Sequence, residues 1–228
     1  MPFLFDQYYL LLVVPTLILS LWAQFKVKST FAKYSKITSK KRISGQDSAA
    51  LLLKANNIRD VQIESVAGTL TDHYDPSSKK VRLSQPVFSE RSIAAIGVAA
   101  HETGHAIQHA TGYGPLVLRS TLVPIANIGS RFGPLLAIVG LFLAHPLVIN
   151  IGIILFGGAV LFYLITLPVE FDASARAIAT LRENNVLTQD ELAGVRKVLT
   201  AAAMTYVASA LTAVMSLLRL ILLSRSRR

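Results

Sequence analysis

Residues His101-Glu102-Thr103-Gly104-His105 place two imidazoles and a carboxylate within five positions. If this stretch is helical, histidines four apart lie on one face about one turn from each other, so both can reach a single zinc ion. Glu102, next to the first histidine, can then reach a zinc-activated water and take its proton as general base. The other reading is a pair of histidines satisfied inside a core. The chain has no cysteine, so any metal must be held by nitrogen and oxygen. A catalytic zinc ion usually takes three protein ligands and leaves one position open. The acids after the motif are Glu170, Asp172, Glu183, Asp190 and Glu191. Glu170 and Asp172 follow Leu167-Pro168, where an apolar run ends, and a carboxylate there is expected to be paired or ligating rather than a solvated helix cap. Residue types alone leave both open. His109 lies about 12 Å along the helix axis from His101; it cannot share the same site and is expected to be structural or substrate-facing. His145 reads as a turn residue.

The elements that would position these groups can be read next. Glu90 to Thr111 is expected to form the helix of the motif, starting at Ser89 and stopping at Gly112. Ile93 to Ala100 is apolar enough to be buried. Gly104 in the interior costs about 1 kcal/mol relative to alanine, which implies a close neighbour. Upstream, Gln46 to Asn56 predicts a short helix after the cap Ser44. Val61 to Val66 and Lys80 to Leu83 alternate apolar with polar, the period of half-buried strands. Gly68 and Asp75-Pro76-Ser77-Ser78 mark turns. Lys26 to Arg119, 94 residues, is long enough for one small domain.

The rest of the chain is written for a bilayer. Of its 228 residues 52% are hydrophobic and 16% charged, against roughly 25% charged in ordinary soluble domains. The net charge of +10 does not by itself indicate nucleic acid, because long apolar runs dominate and no nucleic-acid partner is expected. Gln7 to Phe25 is uncharged for 19 residues, close to one span. Asp6 precedes it and no basic residue does, so it is expected to stay as an anchor rather than be removed as a signal peptide. Seven of the 23 basic residues lie between Lys26 and Arg42, which places that side in the cytoplasm. Phe132 to Val169 is uncharged for 38 residues and is expected to break at His145-Pro146 into a hairpin. Its outgoing helix begins near Thr121 and its return helix runs from about Leu147 to Leu167. Arg131 then faces protein, water or the cytoplasmic interface. Val198 to Leu218 supplies a further run, with small residues Ala201, Thr205, Ser209 and Ala213 every four positions for close helix packing. Arg225, Arg227 and Arg228 conflict with an outer C-terminus, so the last helix is expected either to span or to be re-entrant.

Three motifs now combine. His101-Glu-Thr-Gly-His105-Ala-Ile-Gln108, Thr71-Asp-His73-Tyr-Asp-Pro76 and Leu167-Pro-Val-Glu170-Phe-Asp-Ala-Ser174 together resemble the YugP-type neutral zinc metallopeptidases of bacterial membranes, over nearly the whole chain. More widely the chain is similar to glutamate-zincins such as the HtpX-like proteases. The resemblance implies that His101, His105 and Glu170 hold Zn2+, with Glu170 preferred to Asp172, and that Glu102 is the catalytic base. Glutamate-zincins commonly carry an aspartate four residues after the ligand glutamate to orient a ligand histidine. Ser174 stands there in this chain, and Asp172 or Asp72 could take over that role. Zincins of this kind commonly bind peptide as an added strand on a sheet edge; Leu70 to Leu83 is the candidate region. His73 or Tyr74 could stabilise the oxyanion, or the segment is a turn with a packed tyrosine.

The expected fold is thus a mainly α membrane protein. About four transmembrane helices accompany a small α+β zincin-like domain with an H-E-x-x-H helix and a short edge-stranded sheet. The expected organisation is an anchor over 1–25, a cytoplasmic-side domain over 26–119 with the metal helix at 90–111, a transmembrane hairpin over 120–168, and a third-ligand helix with a final membrane helix over 169–228. The expected function is a zinc-dependent endopeptidase in the cell membrane, with its active site on the cytoplasmic side and membrane-associated peptides or proteins as substrates. The competing function is metal binding or transport without hydrolysis, which would need polar ligands along the spans and has no use for Glu102.

Overall fold

The computed structural model describes residues 6–226. It is mainly helical, with one small sheet. A π-helical turn, Tyr9–Val13, leads into α1 (Val14–Tyr34); then follow α2 (Gly45–Ala55), β1 (Gln62–Val66), β2 (His73–Asp75), β3 (Lys80–Ser84), α3 (Gln85–Ser89), α4 (Ile93–Ala110), α5 (Gly114–Phe142), α6 (Pro146–Glu183) and α7 (Gln189–Arg225). Among the described residues four helices are long and apolar enough to cross a membrane: Tyr9–Tyr34, α5, α6 and α7. Arg227 and Arg228 lie outside the described residues.

The chain divides into two compact units. The first comprises residues 1–24, 117–168 and 204–228. Its core is made of Ala137, Phe156, Ala159, Val160, Ala213 and Leu220, while Leu11 of the π-helical turn and Ile18 and Leu21 of α1 are exposed. Apolar side chains on the outside suit lipid as the surrounding solvent. Gly152 of α6 lies against the backbone of Ala137 in α5, where any Cβ would collide; small residues allow such helices to touch backbone to backbone. Arg131 is exposed, its guanidinium 5.8 Å from the Phe132 ring. A half-buried cation, Arg219, is paired to Asp6 at 2.6 Å and lies 5.1 Å from the Tyr9 ring. Of the small residues on α7, Ala213 is buried but Ser209 is exposed, and Ala208 and Ala210 are the buried neighbours.

The second unit comprises residues 25–116 and 169–203. Ser44 caps α2 through a reciprocal box with Asp47. The sheet has the order β1-β3-β2, with β1 parallel and β2 antiparallel to β3. β1 and β3 lie where the alternating patterns predict them, but His73–Asp75 is a strand ahead of the turn, visible only through its pairing with β3. Helix α4 is covered on two sides: Ala99, Ala106 and Ile107 pack with Leu53, Val81 and Leu83, and Ile96 and Ala100 with Ala177, Leu181, Val195 and Leu199.

Three boundaries differ from the sequence expectation. The motif helix starts at Ile93, not at Glu90. The Ser92 side chain accepts from the Ala95 N–H at 3.1 Å, whereas Ser89 closes the separate helix α3. Residues 91–93 are held extended because Ser39 N–H donates to Arg91 O and Ile93 N–H to Ile37 O, both at 2.9 Å. The outgoing helix of the hairpin begins at Gly114 rather than near Thr121, with Pro115 in its first turn. Finally, α6 does not end at Leu167-Pro168. Proline costs a helix interior about 3 kcal/mol, but Val169, Ala173, Ala177 and Leu181, four apart on one face, are all fully buried. Their packing outweighs the missing hydrogen bond.

Candidate metal centre

Fourteen of the 18 residues of α4 are buried, including Glu102 and His105. A helix this enclosed can hold ionisable side chains only where other groups meet them. Those groups come from α6. Glu170 is 2% exposed, with Oε2 3.2 Å from His101 Nε2 and 3.6 Å from His105 Nε2. The ligand atoms of His101, His105 and Glu170 all lie within 4.8 Å of one another, and the three residues form a group that could hold a metal ion. Zinc bonded at about 2.0–2.1 Å to tetrahedrally disposed donors separates them by about 3.3–3.4 Å. The two imidazole-to-carboxylate separations bracket that value, and two imidazoles with one carboxylate are a donor set that zinc takes.

The far sides of the imidazoles are also engaged. His101 Nδ1 lies 3.1 Å from Ser174 Oγ. His105 Nδ1 lies 3.0 Å from Gln108 Oε1. Gln108 is fully buried, and its amide nitrogen donates both protons, to Val169 O at 2.8 Å and to Asp172 Oδ2 at 2.7 Å. Its carbonyl must therefore face the imidazole and accept from Nδ1–H, which directs Nε2 toward Glu170. Asp172 is held in turn by Arg176 Nε at 2.6 Å, and Arg176 sits 5.4 Å from the Tyr113 ring. Burial pushes the His105 imidazolium down, but Glu170 and Glu102 hold it above the ordinary histidine value. A metal ion arriving at Nε2 displaces that proton.

Gly104 explains how α4 and α6 approach. A Cβ there would collide with the Ala173 backbone, its carbonyl oxygen above all. Gly104→Ala is expected to lower stability by about 1–3 kcal/mol through overpacking, read as a fall in thermal midpoint in detergent. An unchanged midpoint would show that the two helices separate without cost.

The remaining predicted residues lie elsewhere. Asp72 accepts from Ser84 N–H at 2.7 Å and from its hydroxyl, and burial raises its carboxyl above the usual range against those bonds. Tyr74 and His109 contact each other through the hydroxyl and Nδ1 at 2.7 Å; burial, then Asp60 and Asp75, push the Tyr74 hydroxyl up to about 12. His73 is exposed and its Nδ1–H donates to Thr71 O at 2.8 Å. Asp172 acts on the imidazole only through Gln108, a residue that sequence alone does not single out. A glutamine three positions after a candidate ligand is the one available hint.

Known proteins agree with this chemistry. A protein of Bacillus subtilis (strain 168) named "Putative membrane protease YugP" is 50% identical over 215 residues, covering 94% of this chain and 96% of that protein. No solved structure matches the chain. Residues 9–225 match the family described as "Putative neutral zinc metallopeptidase", and with nearly the whole chain covered, the chain belongs to that family.

Proposed function

We propose that this chain is a membrane-embedded zinc endopeptidase of the glutamate-zincin type. His101, His105 and Glu170 would hold the metal and Glu102 would serve as general base. The observation that carries this reading is that two Nε2 atoms of α4, the helix that also bears Glu102, converge on one buried carboxylate oxygen of α6. Zinc, when bound there, supplies Lewis-acid polarisation of the scissile carbonyl and lowers the pKa of water.

The chain's own groups do the rest. Glu102 accepts the proton of the attacking water and returns it to the leaving amine. Gln108 and Ser174 hold the imidazoles with Nε2 toward the ligand position. Gln108→Leu is therefore expected to weaken zinc binding by about 10–100-fold, measured by competition with a chelating dye; unchanged affinity would remove Gln108 from this role. Peptide would add to the free edge of β2, where main-chain hydrogen bonds select an extended substrate. Neutral His73 presents an acceptor at Nε2, so only its protonated form can meet an oxyanion there. Tyr74 is already committed to His109.

The basic stretch from Lys26 to Arg42 supports a cytoplasmic location for the 26–119 segment and the site it carries, with 120–168 as the hairpin and 169–228 bringing Glu170 and the last membrane helix. Membrane-associated proteins and their exposed loops are the proposed substrates. The test is cleavage of casein by the purified protein in detergent. Phenanthroline should abolish cleavage and added zinc should restore it; cleavage that survives complete metal removal overturns the reading.

A further inference from the structure

The basic residues between Lys26 and Arg42 sit on ordered backbone rather than on a loose tail. Helix α1 continues past the end of its apolar run at Phe25 as far as Tyr34, and Lys26, Lys28 and Lys33 stand exposed along that extension. The loop that follows carries Lys36, Lys40, Lys41 and Arg42, also exposed, and its peptide groups are tied down. Ser39 N–H donates to Arg91 O and Ile93 N–H to Ile37 O, both at 2.9 Å, while Lys40 N–H donates to Glu191 Oε1 at 2.7 Å. Cations carried on a fixed backbone lose less freedom when a counter-charge arrives.

Their charge is not cancelled within the protein. Around the sheet, Asp60 pairs with Lys79, Glu64 with Lys80 and Arg82, and Asp75 with Arg82. None of the seven cations from Lys26 to Arg42 forms such a pair among the described residues. Glu191 is the acid that meets the loop, and it is buried with its two oxygens turned to backbone N–H groups, of Lys40 and of Thr188.

Position along α1 says what meets these cations. Trp22 is exposed one turn before Lys26, and tryptophan favours the level of the lipid headgroups. The polar layer on each side of the hydrocarbon core is about 5–8 Å deep, so Lys26 and Lys28 stand within it. Lys33, about 10 Å beyond Lys26 along the axis, stays within reach of a surface potential that decays over about 8 Å. A nucleic acid or an acidic protein would have to enter that layer to meet Lys26 and Lys28, whereas phospholipid headgroups already occupy it. The exposed Phe25 and Ile37, interleaved with the lysines, suit the same interface.

We propose that the surface formed by residues 26–42 binds anionic phospholipid headgroups directly. A topological role requires only that these charges fail to cross the membrane during insertion. Direct binding requires in addition that anionic lipid gathers beside them in the folded protein, and it does not depend on the chemistry at the metal centre.

The chain has one tryptophan, Trp22, whose fluorescence reads the lipid beside Lys26 without a label. In mixed micelles of dodecyl maltoside, chain-brominated phosphatidylglycerol is expected to half-quench it at about a tenfold lower mole fraction than brominated phosphatidylcholine, the preference that one or two basic residues near a charged surface supply. The preference should vanish in the triple variant Lys26→Gln, Lys28→Gln, Lys33→Gln and persist in Lys54→Gln, Arg59→Gln, Lys79→Gln, which removes the same charge elsewhere. If the first triple variant does not fold, the wild-type protein at about 1 M salt, where the screening length falls to about 3 Å, should lose the preference instead. For the loop, benzoylphenylalanine replacing Ile37 should crosslink phosphatidylglycerol over phosphatidylcholine in liposomes. Equal quenching by the two lipids, equal loss in both triple variants, a preference that survives high salt, no lipid captured at Ile37, or release of the brominated lipid by inorganic phosphate at matched ionic strength each overturns the proposal.

Discussion

Glu102→Gln is expected to lower kcat for casein by about 10²–10⁴-fold, the usual contribution of a positioned general base, while bound zinc stays near wild type. The amide keeps the shape of the carboxylate but cannot accept a proton. Glu102 is buried at 8% exposure and stands outside the trio of ligand atoms, so its loss should leave those atoms in place. Metal content by emission spectrometry and turnover on the same preparation give the two readouts. Full activity with zinc present would remove Glu102 from the chemistry; loss of both together would make it a structural or ligating group instead.

The second large effect separates two carboxylates two residues apart. Glu170→Gln is expected to lower zinc affinity beyond the roughly 10–100-fold that outer partners of a metal ligand contribute, because it removes the oxygen that both Nε2 atoms face at 3.2 and 3.6 Å. Asp172→Asn should fall inside that lower range, since Asp172 reaches His105 only through the Gln108 amide. Isothermal titration of the metal-free proteins measures both. The reverse order would make Asp172 the ligand. Because Gln108 can donate to an asparagine oxygen as to a carboxylate, the Asn variant should retain most of its fold as well.

The contrast between these residues also shows what a sequence discloses. His101, Glu102 and His105 are legible because their geometry is local: a helix of known pitch puts positions i and i+4 on one face whatever surrounds it. Glu170 is distant in sequence, yet acids are so few that chemistry narrows the choice to it and Asp172, and the resemblance selects it. Gln108 is a neutral amide whose meaning depends on three groups of α6, Val169 O, Asp172 and, through Asp172, Arg176, none of which is local. The same division holds in the fold. β1, β3 and the Ser44 cap follow from period and residue type. The start of α4 at Ile93 follows from pairing with residues 37–39, and the passage of α6 through Pro168 from a buried face on the other side of the helix. Nothing near Ser89 or Pro168 in sequence carries that information.

The doubly bonded Gln108 amide has a thermodynamic corollary. Its proton and lone-pair positions are all assigned by protein atoms, so the imidazole of His105 is already oriented when no ion is bound. A centre of this kind is unlike a zinc finger, whose ligands are gathered by the metal and whose binding energy is folding energy. An ion bound here would meet ligands already in place, and its contribution to stability should follow simple mass action, growing by RT ln(1 + [Zn]/Kd). The protein would then exchange metal as a folded body, and the supply of the ion, rather than refolding, would govern how quickly an inactive population becomes active.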